Sequence, residues 1–427
     1  MSTSEQAPEL KQSVDKLLAC VHCGFCLSAC PTYTRLGDES DSPRGRIYLM
    51  RAVMEGRLPA DDPAFDLHID QCLGCRACEP VCPSGVEYGF LVERARATLA
   101  KSVGISWPAR LLLFAFGNDL ARSIVSPLSR LFRWTGLPRL LIRALPARLG
   151  RLRFALAMLE ATRPVRLSPR ATTGSAPTAR SSLPEIRVAM LEGCVQDGLF
   201  GQVNAATTFV LERNGCTVVP AAGQGCCGAL HAHTGALDQA RALARRNIAA
   251  FEASRAETIV VNAAGCGAMM KEYHELLRDE PEWRARAHAC ALKVRDISEF
   301  LVARGPVPGA PIRARVTYDA PCHLLHGQRI THAPLDVLRV IPELDLVPLP
   351  RADECCGGAG IYGLLHEELG GRILRDKVAA VRSTGADLVL TPNPGCIMQI
   401  GAGLLLTDQH TRALHPIELL AESYRTS

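Results

Sequence analysis

Two runs of four cysteines near the N-terminus have the residue type and spacing of iron-sulfur ligands. Each run has the pattern C-x2-C-x2-C-x3-C-P, with Cys20, Cys23, Cys26 and Cys30 in the first and Cys72, Cys75, Cys78 and Cys82 in the second. In such a run, three thiolates on one tight loop hold three corners of a cubane, and the fourth, beside the proline, reaches the other cluster. We therefore predict two 4Fe-4S clusters, one held by Cys20, Cys23, Cys26 and Cys82 and the other by Cys72, Cys75, Cys78 and Cys30.

A pair of zinc sites is the alternative interpretation of these cysteines. Zinc pairs usually show C-x2-C units separated by a wide gap, not a triple run that ends in proline. Two neighbouring clusters form a one-electron relay and supply no bond-making chemistry of their own. Between the runs, Ser42 and Pro43 predict the start of a helix. Arg44, Arg46 and Arg76 either raise the potential of a cluster through their charge or lie in solvent.

Eight further cysteines recur as two matching groups in the second half of the chain. Each group centres on a Cys-Cys-Gly triplet, and equivalent cysteines are offset by 128, 129 and 130 residues. Periods this long do not fit a solenoid, so the sequence predicts two homologous domains, here called CCG domains. Each domain offers one tetrathiolate set, namely Cys194, Cys226, Cys227 and Cys266 in the first and Cys322, Cys355, Cys356 and Cys396 in the second.

Further iron-sulfur clusters at these sets are one interpretation, and redox-active dithiols or buried structural cysteines are the other. A disulfide between adjacent cysteines is disfavoured because it strains the intervening peptide. Cys216 and Cys290 match no motif and are predicted to lie in the core.

The CCG domains alternate short apolar strands with amphipathic helices, which predicts an α/β fold. Strands are predicted at 186–193, 217–219, 258–262, 316–320, 344–349 and 386–393, and helices at 202–213, 237–254, 332–340 and 367–383. Open α/β sheets hold ligands at the carboxyl ends of their strands. Because the cysteines follow predicted strands, we expect four of them to converge in each domain.

The 427 residues are predicted to form a multidomain α+β and α/β protein. Residues 1–103 form a helical, ferredoxin-like two-cluster domain, and 184–305 and 306–427 form the two CCG domains. Between them, 104–183 is an Arg-rich helical segment and linker. Its stretch 105–170 contains 12 Arg, no Lys and two acidic residues, and prolines at 108, 127, 138, 146 and 164 are expected to break it into short helices. Residues 171–184 are predicted to be a flexible linker, with a domain boundary near Ser182.

Composition excludes several classes of protein. With 48% apolar and 21% charged residues, the chain is globular rather than disordered. Lys and Arg number 48 against 43 Asp and Glu, a net charge of +5 that argues against a nucleic-acid partner. Eighteen cysteines without an N-terminal apolar signal region indicate metal ligation in a reducing cytoplasm rather than secreted disulfides. No stretch reaches the roughly 18 apolar residues of a membrane span, so we expect a soluble or peripherally attached protein.

Together these motifs resemble the iron-sulfur subunit of bacterial glycolate oxidase, also called glycolate dehydrogenase. The resemblance covers nearly the whole chain and includes SPRGRIYLM, DQCLGCRACEPVCPSGVEYG, PCHLLHGQ, ECCGGAGIY and NPGCIMQI. Related architectures occur in subunits of lactate-utilisation complexes, anaerobic glycerol-3-phosphate dehydrogenase and heterodisulfide reductase. The resemblance implies an electron-transfer subunit that accepts electrons from flavin-containing dehydrogenase subunits and passes them on, with quinone as the expected acceptor.

The resemblance also implies that the 2-hydroxy acid reacts on the flavin subunits, so we expect no catalytic residue in this chain. Gly358, Gly360 and Gly363 match a dinucleotide fingerprint, but the match begins inside the Cys-Cys-Gly turn rather than after a strand. We therefore expect no flavin of its own. Four histidines near CCG cysteines either carry protons for quinone reduction or have structural and surface roles, namely His231, His233, His323 and His326.

Heterodisulfide reductase differs from this chain in one respect. Its CCG motif ends in C-x2-C, whereas Met269 and Gln399 stand at the matching positions here. The five-cysteine set of a non-cubane double cluster is therefore incomplete in both domains. A free-standing thiol-disulfide reductase that uses the paired cysteines remains an alternative function. A nucleic-acid-binding sensor is disfavoured, because the chain has neither a helix-turn-helix signal nor a lysine-rich arm.

The Arg-rich segment has two interpretations. Arginines interleaved with Leu, Phe and Trp suit interfacial helices on anionic lipid at the cytoplasmic face of the inner membrane, near a quinone pool. The same pattern suits helices docked on the flavin subunits. Neither interpretation requires a membrane span.

Overall fold

The computed structural model describes residues 7–165 and 184–425. The predicted linker at 171–184, apart from Pro184, and the predicted boundary near Ser182 lie outside the described residues. No single helix in the described ranges has both the length and the apolar composition to cross a membrane. One pair of helices passes that test only in combination, and its two members are bent by 115° relative to each other.

Short helices and two cysteine loops make up the N-terminal part of the chain. Its helices are α1 (Pro8–Lys11), α2 (Val14–Leu18), α3 (Tyr33–Leu36), α4 (Pro43–Met54), α5 (Pro63–Asp70) and α6 (Tyr88–Ser102). Helix α4 begins as predicted, because Ser42 accepts a hydrogen bond from the Gly45 amide at 3.0 Å and Pro43 lies in the first turn. The apolar faces of α4, α5 and α6 form a core that includes Ile47, Met50, Phe65, Ile69 and Leu91.

The Arg-rich segment folds into helices α7 (Trp107–Gly117), α8 (Asp119–Trp134), α9 (Leu137–Ala144) and α10 (Gly150–Ala161). Pro108 and Pro138 lie in first turns, where a missing amide hydrogen costs nothing. Pro127 lies inside α8, so the prediction that it breaks a helix is wrong. Proline removes only the hydrogen bond to the carbonyl of residue 123, and packing of α8 against α7, α9, α10 and α11 stabilises the helix.

Two parallel sheets with the same strand order form the second half of the described chain. The first has the order β2-β1-β3-β4, and the second has the order β6-β5-β7-β8. The strands are β1 (Ile186–Met190), β2 (Cys216–Val219), β3 (Thr258–Val261), β4 (Val294–Asp296), β5 (Arg315–Tyr318), β6 (Asp345–Val347), β7 (Leu388–Leu390) and β8 (Arg412–Leu414). Registers correspond as well, since Val188 pairs with Thr258 in the first sheet and Val316 with Leu388 in the second.

Helices surround each sheet. The first α/β unit, 186–304, contains α11 (Val195–Arg213), α12 (Ala229–His233), α13 (Leu237–Ser254), α14 (Ala264–Lys271), α15 (Tyr273–Leu276), α16 (Pro281–Lys293) and α17 (Ile297–Arg304). The second α/β unit, 315–425, contains α18 (Ala333–Arg339), α19 (Tyr362–Leu365), α20 (Glu367–Ser383), α21 (Pro394–Leu406) and α22 (Pro416–Arg425).

The two α/β units share one apolar core. Val188 and Val260 of the first sheet belong to the same buried cluster as Val316 and Val389 of the second. Helix α11 packs on α22, and α10 of the Arg-rich segment packs on α21. Because the units are fused in this way, their cysteine sites are held in a fixed relation to each other.

Several arginines of the Arg-rich segment are structural. Glu160 is fully buried, and its carboxylate forms ion pairs with Arg139 Nε at 2.6 Å and with Arg163 Nε at 2.7 Å. Arg130 Nε donates to the Gly198 carbonyl of α11 at 2.6 Å. These contacts fasten the segment to the first α/β unit and stabilise its own helices.

Candidate iron-sulfur sites

The first cysteine loop lines a cavity beside α4 together with the last cysteine of the second loop. This cavity, site 1, is lined by Cys20, Cys23, Cys26 and Cys82, with Ile47 and Tyr88 as apolar neighbours. Cys23 is exposed, whereas the other three thiols are half-buried. Burial raises the pKa of the Cys26 thiol. Of the described cysteine sites in the N-terminal part, site 1 is therefore the most exposed.

The second loop lines a deeper cavity together with the last cysteine of the first loop. This cavity, site 2, is lined by Cys30, Cys72, Cys75 and Cys78. All four of these thiols are buried. Cys78 also lines site 1, so the two sites share a wall. The fourth cysteine of each run thus lies with the first three of the other run.

The two cysteine loops have matching backbone conformations. The third and fifth residues of each run have positive φ, at 54° for His22, 89° for Gly24, 63° for Gly74 and 62° for Arg76. His22 and Arg76 adopt this left-handed conformation at a cost of roughly 1–2 kcal/mol each, because their Cβ atoms crowd the backbone. This repeated turn allows three cysteines, each separated from the next by two residues, to line a single cavity.

A buried arginine adjoins site 2. Arg46 is 1% exposed and donates to Thr32 Oγ1 at 3.0 Å, and its Nη1 lies 4.0 Å from Cys30 Sγ. Its charge is balanced by Asp41 at 3.1 Å. Burial alone would raise the pKa of Cys72, but the charges of Arg46 and Arg96 hold it below its ordinary value. Arg46 is therefore not solvated, and its positive charge favours the thiolate form of a site 2 cysteine.

Two further arginines join the second loop to the first α/β unit. Arg76 pairs with Glu79 at 3.0 Å and with Glu272 at 2.5 Å. Arg96 donates to the carbonyl of Cys72, and to that of His233 at 2.9 Å. Because both arginines bridge the loop and the unit, site 2 is held against the C-terminal half.

The cysteines of the first α/β unit converge as site 3. Its members are Cys194, Cys226, Cys227 and Cys266. The sulfurs of Cys227 and Cys266 are 3.2 Å apart, and hydrogen bonds with Cys194 and Cys227 lower the pKa of Cys226 well below its ordinary value. Asn247 donates to the Cys226 carbonyl at 2.9 Å, and the Tyr273 hydroxyl donates to the Cys227 carbonyl at 2.8 Å. These two buried side chains fix the Cys-Cys turn.

The cysteines of the second α/β unit converge in the same way as site 4. Its members are Cys322, Cys355, Cys356 and Cys396. The sulfurs of Cys356 and Cys396 are 3.3 Å apart. Asn393 donates to the Cys396 sulfur at 3.4 Å, and a buried ion pair joins Lys377 to Asp319 at 2.9 Å. Sequence reasoning missed this ion pair and the Asn247 and Tyr273 contacts at site 3, because none of these residues lies in the cysteine motifs.

The thiol sets of sites 1 and 2 fit iron-sulfur clusters better than zinc. A tetrahedral zinc with bonds of about 2.3 Å holds its sulfurs within about 4 Å of one another. Across the described ranges, only Asp38, Asp41 and His68 form a group of three or more potential ligands whose donor atoms all lie within 4.8 Å, and no cysteine belongs to it. That group is explained by the ion pair of Asp41 with Arg46. No three thiols of a described set therefore lie mutually as close as zinc requires, and sites 1 and 2 suit a cubane. At sites 3 and 4, one pair of sulfurs in each set is closer, at 3.2 Å and 3.3 Å.

A buried side-chain amide without hydrogen-bond partners lies beside site 4. Gln399 is 1% exposed, and among the described residues neither atom of its amide has a hydrogen-bond partner. A Cβ on Gly358 would lie 3.2 Å from Gln399 Cβ and 3.4 Å from the Cys356 sulfur, so Gln399 adjoins site 4. Leaving a buried amide without hydrogen-bond partners costs free energy. The Gln399 amide could therefore bond to a further polar group held in site 4. Met269 takes the equivalent position at site 3 and offers no such donor.

Site 4 adjoins site 2. Cys75 of site 2 and Cys355 of site 4 belong to one small buried cluster, against which Cys322 packs. Burial and the proximity of Cys355 both raise the pKa of Cys75. Sites 1, 2 and 4 therefore form a continuous series of neighbouring thiol sets.

The four histidines singled out from the sequence lie in different surroundings. His233 contacts Glu93 at 2.9 Å, and its ring centroid is 5.1 Å from that of His323. Burial lowers the pKa of His323 well below its ordinary value. His326 contacts the Asp353 carbonyl at 3.2 Å, and His231 is buried beside Cys226. The remaining cysteines, Cys216 and Cys290, lie in the apolar cores, as predicted.

Two family models match the chain. A 4Fe-4S dicluster domain matches residues 16–86, and a cysteine-rich domain matches residues 188–271 and again 316–401. These matches confirm the predicted pair of 4Fe-4S clusters, the duplicated cysteine-rich region and the fold class.

Two relatives match this chain nearly end to end. The "Probable glycolate oxidase iron-sulfur subunit" of Bacillus subtilis (strain 168) is 38% identical over 97% of this chain and 96% of its own length. The "Glycolate oxidase iron-sulfur subunit" of Escherichia coli (strain K12) is 36% identical over 95% of this chain and 94% of its own length. A "Lactate utilization protein A" of Bacillus licheniformis is 32% identical, over 55% of this chain and 99% of its own length. The paired cysteine loops, the duplicated CCG sites and these full-length matches establish that the chain belongs to the family of bacterial glycolate oxidase iron-sulfur subunits.

Proposed function

We propose that this chain is the electron-transfer subunit of a glycolate (2-hydroxy-acid) dehydrogenase complex. Partner flavin subunits oxidise the acid, and this chain carries the electrons towards quinone. Glycolate is favoured over lactate as the substrate, because the relatives named for glycolate oxidase match 95% or more of this chain and the lactate-utilisation relative matches 55%. The chain alone is not expected to oxidise the acid.

The cysteines of sites 1 and 2 are the proposed ligands of the two 4Fe-4S clusters. Such clusters, when bound, accept and donate single electrons. The sites 3 and 4 cysteines are proposed to hold further clusters. At site 2 the surrounding residues bury all four thiols, and Arg46 places a positive charge beside Cys30 and Cys72.

The continuous series of sites 1, 2 and 4 is the observation that carries this proposal. Cys78 lines both site 1 and site 2, and Cys75 packs in the same buried cluster as Cys355. Site 1 is half-buried and site 2 is buried, so site 1 suits electron entry from the flavin subunit. The C-terminal sites then lead towards the acceptor.

Peripheral attachment at the cytoplasmic face of the membrane is part of the proposal. Helices α7 and α8 expose Trp107 (76%) and Trp134 (79%) along with several leucines. In the described ranges, Arg110, Arg143 and Arg148 make no ion pair with an acidic side chain. These exposed apolar groups, together with Arg110 on α7, Arg143 on α9 and Arg148 after α9, suit an anionic lipid surface.

Glycolate is expected to reduce the clusters of this chain only when the flavin subunits are present. The measurement is anaerobic EPR of frozen samples, with glycolate added to the purified complex and to the isolated chain. Dithionite, which reduces clusters directly, serves as the control for cluster content in both samples. Reduction of the isolated chain by glycolate, or no reduction of the intact complex, would contradict the proposal.

A further inference from the structure

A large cavity lies where the N-terminal part meets both α/β units. Its volume is about 510 Å³, within the roughly 300–1,000 Å³ range of small-molecule sites. Each of the three parts contributes polar side chains to its wall, including Arg96 from α6, His233 from the first unit, and His323, Tyr362 and His366 from the second. None of the cysteine motifs predicts this cavity, because its wall comes from segments far apart in the sequence.

The cavity adjoins a predicted cluster site directly. Cys72 and Leu73 line both this cavity and site 2, so the two spaces share a wall. His323, also in the wall, contacts the Cys322 sulfur of site 4 through Nδ1 at 3.4 Å. A molecule in the cavity would therefore lie next to sites 2 and 4 without an intervening layer of protein.

The walls combine flat apolar surface with polar edges. The Tyr362 and His366 rings are stacked with their centroids 4.1 Å apart. On another wall, the His233 and His323 rings approach to 5.1 Å, and His323 Nε2 is buried with no hydrogen-bond partner among the described residues. Planar aromatic walls with hydrogen-bonding groups from different sides suit a flat ring that has polar atoms at opposite ends.

The mouth of the cavity opens beside the exposed apolar helices. The exposed residues Val103, Gly104 and Ser106 line the cavity at this opening, just before helix α7 begins at Trp107, and Ala109 of α7 also lines the cavity. On that helix Trp107, Leu111 and Phe114 are exposed. A ligand with a long apolar tail could therefore place its ring inside while the tail continues along this surface.

An anionic ligand such as the hydroxy acid fits the cavity less well. Arg96 is the cation in the wall, and its two Nη atoms already donate to the carbonyls of Cys72 and His233. Asp66 and Asp70 also line the cavity and would repel a carboxylate. The charge of the wall therefore favours a neutral occupant.

We propose that this cavity binds the ring of a quinone-class acceptor, an inference that rests on the proposed function. Two electrons, taken up singly from the adjoining sites 2 and 4, and two protons from water convert the two ring carbonyls into hydroxyls. His366 bonds to Asp70 at 3.2 Å, and the side chain of Asp70 is 63% exposed, which connects the cavity with solvent. The acceptor thus leaves as the quinol.

The test uses a substitution that narrows the mouth of the cavity and leaves the cysteines unchanged. Ser106 is exposed and its side chain makes no capping hydrogen bond, so Ser106→Trp adds bulk at the entrance with little effect on folding. Ser383→Trp adds the same bulk at an exposed position at the end of α20, and Ser106→Ala is the conservative variant. Binding of decylubiquinone to the as-isolated complex is measured by equilibrium dialysis, with no glycolate present. Glycolate-driven reduction of decylubiquinone and of ferricyanide is then measured in the same preparations.

We expect Ser106→Trp to weaken decylubiquinone binding and to slow its reduction at least tenfold, while iron content and ferricyanide reduction stay as in wild type. Ser106→Ala and Ser383→Trp are expected to behave as wild type in all assays. Unchanged quinone binding in Ser106→Trp would overturn the cavity as the acceptor site. A wild-type complex that reduces ferricyanide but neither binds nor reduces quinone would instead overturn the proposed acceptor itself.

Discussion

Replacing Arg46 by leucine is expected to destabilise the N-terminal part by roughly 3–5 kcal/mol, because a buried ion pair that loses one partner leaves the other charge uncompensated. Among the described residues, Asp41, whose side chain is 4% exposed, would keep only His68 at 3.0 Å as a potential cationic partner. The contact of the guanidinium with Thr32 beside Cys30 would be lost as well. The measurement is the urea midpoint at which the iron-sulfur absorbance bleaches under anaerobic conditions.

Two further variants make this result specific to the buried pair. Arg51→Leu removes an arginine from the same helix whose partner, Glu55, lies 3.7 Å away at the surface, and its expected cost is below about 1 kcal/mol. Adding Asp41→Asn to Arg46→Leu removes both charges and is expected to recover more than half of the loss. A bleaching midpoint for Arg46→Leu equal to that of Arg51→Leu would show that the ion pair does not hold site 2.

The fourth cysteine of each run lies in the site formed by the other run, and this exchange predicts a second large effect. Substituting that one cysteine is expected to remove the whole cluster whose other three ligands lie far from it in the sequence. We take Cys23→Ser/Cys26→Ser, which removes two ligands of site 1, as the background. Adding Cys82→Ser is expected to remove no further iron, since Cys82 lines site 1. Adding Cys30→Ser is expected to remove about four further irons, because Cys30 lines site 2.

Iron and acid-labile sulfide are quantified in all three variants after anaerobic purification. The two triple variants differ by a single position, so each is the control of the other. If Cys82→Ser removed the additional irons and Cys30→Ser did not, each run would hold its own fourth ligand and the exchange would be wrong.

Much of the architecture follows from local sequence pattern. Helices Leu237–Ser254 and Glu367–Ser383 have the predicted bounds because their apolar residues recur at helical spacing over more than four turns. Strands β4 and β8 were not predicted. Each has three residues, includes an arginine and lies at the edge of its sheet, so neither the length nor the alternation of a buried strand is visible.

The candidate sites, like the fold, could be predicted from the sequence only in part. Cysteine spacing predicts which thiols meet, because a tight loop fixes its own sulfurs and the duplication supplies the rest. The sequence could not distinguish a buried Arg46 from a solvated one, since its burial depends on Asp41 and on the carbonyl of His68, which α5 brings to 2.5 Å from Arg46 Nε. The acceptor cavity depends likewise on contacts among three parts of the chain.

The most direct test of the account is whether the C-terminal sites hold iron in addition to the N-terminal pair of clusters. Iron and acid-labile sulfide are quantified with EPR on the anaerobically purified wild type and on a Cys227→Ser/Cys356→Ser variant. Each substitution removes one thiol of the Cys-Cys turn, at site 3 and at site 4. We expect more than about eight irons in the wild type, falling towards about eight in the variant. About eight irons in both proteins would contradict an electron path that extends into the C-terminal half.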